Sequence, residues 1–380
     1  MTEGDGDPRR GPDKEGEVVV AYLGPRATYS HQAALSLFPP SPTIVHKPVP
    51  TIPSVFSAVQ SGAVNYGIVP FENSTNGSVV FTLDLFADRE RRNPDVVVCG
   101  EGYVRVRHCL VGHPNPATTT ERTENVNEER KQHNPADLSD LAHITTLYTH
   151  PQVWTQCTRF LSLLSSSSTS ETIDRIDTSS TSRAAELVAH DPSRCSAAIC
   201  NALAAQTFGL PILRQDIQDD EGNETRFFVL RRRDAPASLP ASSPYSASTS
   251  SQIPTQPQTQ SQTQEEEDDD DDKDWKTLVS FTIEHHHPGS LAQCLAVFER
   301  HAINLTSINT RPSGEGRWNY VFFVECWGRR RRTRGGEEGA GLEGGGKGEE
   351  EGPVDRALRE LDGMCRGWRW LGSWRSNASG

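Results

Sequence analysis

Short apolar runs alternate with amphipathic stretches through residues 17–231, and this alternation limits the possible folds more than any other feature. Val18 to Leu23 and Tyr66 to Pro70 have the length and composition of buried strands. Between them, Ile52 to Gln60 carries its apolar residues on one helical stripe. Strands that alternate with helices favour an α/β fold with helices on both faces of a sheet.

A shorter unit with a different order of elements follows at residues 275–375. Its predicted order is βαββαβ, which is the order of a ferredoxin-like fold. The predicted strands and helices are Lys276 to Glu284, Ser290 to His301, Ile303 to Thr310, Asn319 to Trp327, Val354 to Cys365 and Trp368 to Trp374.

Polar, low-complexity segments separate and interrupt these units. The apolar share of the chain is only 34%, and the shortfall lies in these segments. Residues 234–274 are rich in Ser, Pro and Gln and then acidic, which cannot bury a core and predicts a linker. We expect residues 17–233 and 275–375 to form two domains. A disordered N-terminus at residues 1–16 and a disordered insert near residues 329–352 complete the predicted organisation.

Charge and cysteine usage argue against several functional classes. The net charge is −13, but residues 265–274 hold nine acids and one lysine, so the rest carries only −5. Without a continuous basic face, no nucleic-acid partner is expected. Eight scattered cysteines without a CxxC pair argue against a zinc site and fit a reducing compartment. The absence of a long apolar run and of a signal-peptide core predicts a cytoplasmic protein without a membrane partner.

Two polar segments at strand ends predict where the chemistry lies. Asn223 to Leu230 runs from a polar turn into a buried-looking strand, and Val69 to Val79 leaves a strand through a polar turn. Strand ends hold side chains rigidly at the edge of a sheet. Together the segments predict a site for a small acid, with no metal and no nucleotide.

These segments resemble motifs of the prephenate dehydratase family. Thr225-Arg226-Phe227 looks like the TRF motif, Val69 to Val79 resembles V-P-x-E-N-S-x-x-G-x-V, and Gly24 to Ala34 resembles a third hallmark. Six matches in the order of the family make a chance resemblance improbable. The resemblance implies two α/β lobes that resemble type 2 periplasmic binding proteins, with the site in the cleft between them. The other three matches are Thr149 to Gln152, Thr178 to Thr181 and Ala197 to Gly209.

The second unit resembles an ACT regulatory domain. Pro288 to Leu291 and Ile303 to Pro312 are similar to its two motifs, although Ser290 replaces Ala and Asn309-Thr310 replace Glu-Ser. The resemblance implies that phenylalanine binds at a dimer interface and inhibits, in a homodimer or homotetramer. The effector contacts implied are Gly289, Ser290, Leu291, Asn304, Asn309, Thr310, Arg311 and Pro312.

The resemblance also implies an activity: a lyase that converts prephenate to phenylpyruvate for phenylalanine synthesis, without a cofactor. Loss of carbon dioxide and hydroxide creates an aromatic ring, so the enzyme must hold a dianion and assist the departure of hydroxide. Two alternatives stay open. One is an arogenate dehydratase, whose substrate carries an amine in place of the ketone. The other is a non-catalytic sensor of small acids or amino acids.

We assign the catalytic roles to the TRF-like residues. Thr225 is the predicted hydrogen-bond donor to the leaving hydroxyl. Arg226 is predicted to clamp a substrate carboxylate, or alternatively to pair with a structural acid. Phe227 either packs against the substrate ring or is an ordinary core residue.

Other hydroxyl, amide and carboxyl groups are assigned to the substrate site. Asn73 and Ser74 can donate to the substrate, whereas Glu72 orients its neighbours or stays protonated. A strand gives way to a helix near Thr28 and Ser30, where hydroxyls and free backbone N–H groups form an anion site or cap the helix. A second helix start is predicted to meet the other carboxylate, through Ser180 and Thr181.

Overall fold

The computed structural model describes residues 16–115, 138–167, 173–235, 273–331 and 351–376. Most of the predicted N-terminal segment, of the acidic linker and of the insert near 329–352 lies outside the described residues. None of the helices in the described ranges combines the length and apolarity that a bilayer crossing requires.

Lobe 1 comprises residues 16–105 and 224–235. It contains one sheet with helices packed on both of its faces, as the alternation predicts. Strand β1 pairs in parallel with β2 and β3, and β11 lies antiparallel between β3 and β5. The strands are β1 (Val18–Leu23), β2 (Ile44–Val49), β3 (Tyr66–Asn73), β4 (Gly77–Ser78), β5 (Val96–Arg105) and β11 (Glu224–Arg232). The helices are α1 (Tyr29–Leu37), α2 (Ile52–Gln60) and α3 (Val80–Ala87).

Lobe 2, residues 109–214, is built on a second sheet with strand order β10-β6-β9-β7-β8. The chain enters it after β5 through residues 106–108 and leaves it through residues 215–223. Its strands are β6 (Cys109–Gly112), β7 (Thr146–Thr149), β8 (Asp174–Asp177), β9 (Ser196–Cys200) and β10 (Ile212–Arg214). Its helices are a 3₁₀ turn (Ser139–Leu141), α4 (Pro151–Trp154), α5 (Thr158–Ser167), α6 (Thr181–Ala189) and α7 (Ala202–Phe208).

In the sequence, the apolar residues from Pro151 to Leu164 are spaced as in a single helix, but the structure has two helices there, α4 and α5. Asp219 lies in the segment of residues 215–223, through which the chain leaves lobe 2. Its carboxylate accepts hydrogen bonds from the backbone nitrogens of Thr158 at 2.7 Å and Arg159 at 3.0 Å. These bonds satisfy the free N–H groups of a helix that begins at Thr158. The cap comes from a residue about sixty positions away, so local periodicity could not predict the break.

The C-terminal unit, residues 273–376, has the predicted βαββαβ order and the sheet order β13-β14-β12-β15. Strand β15 also pairs in parallel with β5, where Gly372 meets Val98, so this sheet continues that of lobe 1. Its elements are β12 (Trp275–Thr282), α8 (Ser290–Arg300), β13 (Leu305–Pro312), β14 (Tyr320–Trp327), α9 (Pro353–Asp362) and β15 (Gly367–Arg375).

A shared core fixes the C-terminal unit against lobe 1. Trp374 is 1% exposed, and its ring lies 5.2 Å from that of Phe228 in β11. Phe228 in turn stacks on Phe71 of β3, with ring centres 4.0 Å apart. Burial of large aromatic side chains is among the strongest contributions to stability. The start of β11 is therefore held between lobe 1 and the C-terminal unit.

Candidate active site

The predicted site residues of lobe 1 meet at one edge of its sheet. Because β1 and β3 are parallel, Leu23 and Asn73 end their strands at the same edge. Strand β11 runs the other way, and its second residue, Thr225, lies opposite Asn73. The loop that follows Leu23 leads into α1. In α/β sheets, ligands bind outside the carboxyl ends of the parallel strands.

Asn73 holds the start of β11. Its side-chain nitrogen donates to the hydroxyl oxygen of Thr225 at 3.0 Å and to the amide oxygen of Asn223 at 2.8 Å. Its side-chain oxygen accepts from the backbone nitrogens of Thr75 and Asn76 at 3.1 and 2.9 Å. The amide is therefore directed at the turn and at Thr225, instead of outwards as a substrate contact.

Thr225 keeps its own proton available. Its hydroxyl oxygen accepts from Asn73, and the hydroxyl donates no hydrogen bond to another described residue. A hydroxyl that accepts a bond while its proton is free becomes a better donor, since chains of hydrogen bonds polarise one another. Thr225 is partly exposed at the sheet edge, where a ligand can receive that proton.

Arg226 does not occupy the position predicted for a substrate clamp. Successive residues of a strand point to opposite faces, so its side chain leaves β11 on the side away from Thr225. Its Nε donates to the carboxylate of Glu101 at 2.8 Å, and its Nη2 contacts the carboxylate of Glu325. Burial lowers the pKa of Arg226, but these carboxylates outweigh that effect and raise it. The prediction of a carboxylate clamp is corrected, and the structural-acid alternative holds.

Phe227 is likewise a core residue and does not form a wall of the site. It is 1% exposed and packs with Tyr22, Leu37 and Val104 between the sheet and α1. The alternative of an ordinary core phenylalanine therefore describes it, and the predicted ring contact is corrected.

Glu72 and Ser74 support the site from beside Asn73. The Glu72 carboxylate is about two-fifths exposed and lies 3.7 Å from a guanidinium nitrogen of Arg226, which fits an orienting role. The Ser74 hydroxyl accepts from the backbone nitrogen of Glu224 at 2.9 Å. That bond closes the turn onto the start of β11.

The start of α1 is capped by Thr28. Capping was one of the two predicted roles of this segment, and anion binding was the other. The Thr28 hydroxyl accepts from the backbone nitrogen of His31 at 3.2 Å and lies 3.1 Å from the carbonyl oxygen of Leu23. Ser30 is 6% exposed at the same helix start. Capping leaves further backbone N–H groups at the helix start, where the helix dipole favours an anion.

The start of α6, in lobe 2, faces the loop before α1. Ser180 caps α6 by accepting from the backbone nitrogen of Arg183 at 3.1 Å, and Thr181 is 7% exposed. The hydroxyl of Ser182 donates to the carbonyl oxygen of Arg26 across the lobes. Two helix starts thus meet at one cleft, and each is a favourable place for a carboxylate.

Three hydrogen-bonded polar side chains lie where the chain passes from lobe 1 into lobe 2, and the sequence did not predict this connection. The Tyr29 hydroxyl lies 3.0 Å from Nδ1 of His108, and Nε2 of His108 lies 2.8 Å from the amide oxygen of Gln156. Burial lowers the pKa of His108, although the bond to Gln156 opposes it, so the neutral form is favoured. Tyr29 lies in the matched segment Gly24 to Ala34, whereas Gln156 lies four residues beyond the matched segment Thr149 to Gln152. Nothing in the sequence connected them to His108.

A cavity of about 550 Å³ lies between α1 and α7. Gln32, Arg105, Arg107 and Asn201 are among its lining residues, and none of the predicted site residues is. Arg107 is paired with Asp216 at 2.7 Å. The cavity is therefore a feature distinct from the predicted cleft.

Residues of the predicted effector segment contact lobe 1. The amide oxygen of Asn309 accepts from the Ser78 hydroxyl at 2.8 Å, and Arg311 Nε donates to Asp84 at 2.7 Å.

At the far end of β13, Pro312 lies opposite Tyr320, whose backbone nitrogen donates to His285 at 2.9 Å. This bond brings the loop before Gly289 close to the end of β13. The remaining predicted effector residues lie at the start of α8 (Ser290 and Leu291), just before β13 (Asn304) and within β13 (Thr310).

Comparisons with known proteins give a consistent result. A family model described as prephenate dehydratase matches residues 20–235. The bifunctional chorismate mutase/prephenate dehydratase of Stutzerimonas stutzeri is 34% identical over 83% of this chain and 66% of its own length. The probable prephenate dehydratase of Saccharomyces cerevisiae is 30% identical over 81% of this chain and 86% of its own length. The chain thus spans about two thirds of the first relative.

Among solved structures, the prephenate dehydratase from Arthrobacter aurescens, in complex with L-Phe, superposes with a TM-score of 0.65. It covers 96% of this chain and 92% of its own, at 23% identity. At that identity the likeness establishes a shared fold and nothing about individual residues.

Proposed function

The chain belongs to the prephenate dehydratase family, and on that basis we propose that it converts prephenate to phenylpyruvate with release of carbon dioxide and water. The bond between the ring and its carboxylate breaks, and its electron pair moves through the diene as the C4–oxygen bond breaks. The departing oxygen leaves as hydroxide and takes up a proton to become water. Formation of the aromatic ring drives the reaction, so we propose that no cofactor takes part.

Thr225 assists the departure of hydroxide in this proposal, and its hydrogen bond from Asn73 is the observation that carries it. That bond fixes the hydroxyl and leaves its proton free to point at the leaving oxygen. A fixed donor aimed at developing negative charge stabilises the transition state more than the ground state. Hydrogen-bond or acid assistance of this kind accelerates reactions by about 10²–10⁴-fold.

The substrate dianion is held at the two helix starts, by Thr28 and Ser30 at α1 and by Ser180 and Thr181 at α6. The position of Arg226 supports this arrangement. A guanidinium on the departing carboxylate would stabilise that anion and slow its loss, and Arg226 is engaged elsewhere. Helix starts hold an anion with partial charges, typically contributing about 0.3–1 kcal/mol each when exposed.

The C-terminal unit acts as an ACT regulatory domain for phenylalanine in this proposal, in a homodimer or homotetramer located in the cytoplasm. Its βαββαβ order and the position of its two motifs support the assignment. The A. aurescens relative was solved with L-Phe bound, which supports the choice of effector. Coupling between such sites is typically about 1–3 kcal/mol.

The direct test incubates the purified chain with prephenate and no added cofactor, and follows phenylpyruvate by ultraviolet absorbance. Phenylpyruvate at a rate proportional to protein concentration is expected. Competition between prephenate and arogenate decides between the two dehydratases. A chain that binds prephenate without turnover is a sensor, and that result would refute the proposed activity. Titration with phenylalanine then tests inhibition.

A further inference from the structure

Four charged side chains are buried where β11 meets the C-terminal unit. Arg226 and Glu101 belong to lobe 1, whereas Lys276 and Glu325 belong to β12 and β14. Their residues are 9%, 0%, 5% and 1% exposed, respectively. Two positive and two negative charges balance. We call these four residues the ionic junction.

Contacts in the ionic junction cross between the two parts of the chain. Arg226 contacts both carboxylates, with Nε 2.8 Å from Glu101 and Nη2 against Glu325. Nζ of Lys276 lies 3.2 Å from Glu101 and 3.6 Å from Glu325. The guanidinium is planar and rigid, so two carboxylates acting on it fix its orientation as well as its position.

Glu325 is itself held from the C-terminal side. The Thr306 hydroxyl donates to its carboxylate at 2.7 Å, and Thr306 lies on β13, three residues before Asn309. The carboxylate of Glu325 thus connects β13 to the guanidinium of Arg226. A displacement of β13 or β14 would be transmitted to the residue next to Thr225.

The start of β11 has an irregular ladder with β3 on one side, whereas its pairing with β5 on the other side is continuous from Glu224 to Val229. The register with β3 shifts between Arg226 and Phe227, where one residue of β3 is left without an opposite residue. A bulge of this kind disrupts the ladder locally, which weakens the pairing between β11 and β3 at this point. The side chain of Arg226 supplies a further fixed point beside Thr225, where the pairing with β3 shifts.

We propose that Glu325 is a positioning residue for the dehydration: through Arg226 it fixes the start of β11 and so aims the Thr225 hydroxyl. This inference rests on the proposed function for its kinetic consequence. The structural part, that Glu325 immobilises residues 223–226, stands independently of it. Glu325 lies in the C-terminal unit, so that unit contributes to the alignment of a group in the active site.

The test compares Glu325→Gln with the unchanged chain and with Glu360→Gln. Glu360 is a matched control, since it lies in the same unit and pairs with Arg300 on the surface, away from lobe 1. For Glu325→Gln we expect kcat to fall about tenfold or more with KM within twofold. We also expect faster amide hydrogen exchange in a peptide covering residues 223–226. Glu360→Gln should match the unchanged chain in all three quantities.

A charge-balanced variant covers the case in which Glu325→Gln does not fold. R226M/E325M leaves Glu101 and Lys276 as a pair, so it buries no unpaired charge. A low kcat with unchanged KM and fast exchange at residues 223–226 supports the proposal. Exchange and kcat both equal to those of the unchanged chain would overturn it, as would a change in KM alone.

Amide hydrogen exchange is measured without substrate. It therefore tests the positioning role of Glu325 separately from the proposed dehydratase activity. An unchanged chain that forms no phenylpyruvate refutes the proposed function, while exchange at residues 223–226 still decides whether Glu325 holds β11. Normal turnover by the unchanged chain, combined with unaltered exchange in Glu325→Gln, refutes the positioning role alone.

Discussion

The side-chain nitrogen of Asn73 lies 3.0 Å from the hydroxyl oxygen of Thr225, across the ladder between β3 and β11. The two residues are 152 positions apart, and they meet because β3 ends where β11 begins. The bond gives the Thr225 hydroxyl one orientation and leaves its proton unused. In the proposed mechanism, this bond makes Thr225 an aimed donor.

Loss of this bond should reduce the rate more than the affinity. We expect Asn73→Ala to lower kcat about tenfold, since a net hydrogen bond contributes about 0.5–1.5 kcal/mol. The rate of phenylpyruvate formation at several prephenate concentrations gives kcat and KM. Asn76→Ala is the control, because Asn76 contributes only its backbone nitrogen to the same turn. A raised KM at normal kcat would instead make Asn73 a substrate contact.

The ionic junction should make Arg226 important for stability. Arg226→Ala leaves the Glu101 and Glu325 carboxylates with only Lys276 to balance them. Removing one partner of a buried pair costs about 3–5 kcal/mol. Urea unfolding measures the change in the free energy of unfolding. Arg300→Ala, at an exposed pair with Glu360, should cost less than about 1 kcal/mol. Equal losses for both variants would contradict the importance of burial.

Sequence patterns were sufficient for the order of elements and for singling out two polar segments that lie together in the structure. The period of the apolar residues predicted the alternation in residues 17–231 and the βαββαβ order of the second unit. The site position followed from polar residues at strand ends, and Thr225 and Asn73 do lie together. Local pattern is enough where the determinants of structure are themselves local.

Side-chain direction and long-range partners could not be obtained in this way. The TRF-like motif left two possible partners for Arg226, a substrate carboxylate or a structural acid, and its partner Glu325 lies 99 positions away in another unit. Phe227 shares a face with Thr225, but α1 covers that face at Phe227 and leaves it open at Thr225. These outcomes depend on how helices and units pack, which a single sequence does not specify.

Acid should destabilise the loop before α1 through His31. Burial, reinforced by the charges of His46 and Arg26, lowers the pKa of His31 to about 4. Its neutral Nδ1 accepts from the backbone nitrogen of Ala27 at 3.0 Å. The unfolded chain, with an ordinary pKa near 6.5, binds the proton first. The contribution of His31 is therefore complete above pH 6.5 and is lost as the pH falls towards 4.

Replacement by glutamine isolates this effect. We expect the free energy of unfolding of His31→Gln to fall less between pH 7 and pH 4.5 than that of the unchanged chain. Urea titrations at both pH values provide the comparison. Buried His108 titrates in both proteins, so it cancels in the difference. Parallel pH profiles for the two proteins would show that His31 does not supply the acid sensitivity.

Gly372 should be intolerant of a side chain. Its φ is +138°, and an added Cβ would lie 2.1 Å from the carbonyl oxygen of Val98, where β15 pairs with β5. We expect Gly372→Ala to cost at least about 1–3 kcal/mol from strain and overpacking. Gly367→Ala, in the same strand, meets nothing within 4 Å and serves as the control. Equal thermal stability of the two variants would contradict the close approach of these strands.

The hydroxyl of Thr225 is the centre of the proposed mechanism, and kcat for prephenate in Thr225→Val tests it most directly. Valine keeps the shape of the side chain and removes the donor, whereas Thr225→Ser keeps the donor. We predict that kcat falls by about 10²–10⁴-fold in Thr225→Val with little change in KM, and that Thr225→Ser retains most of the rate. Turnover by Thr225→Val at nearly the rate of the unchanged chain would contradict the mechanism.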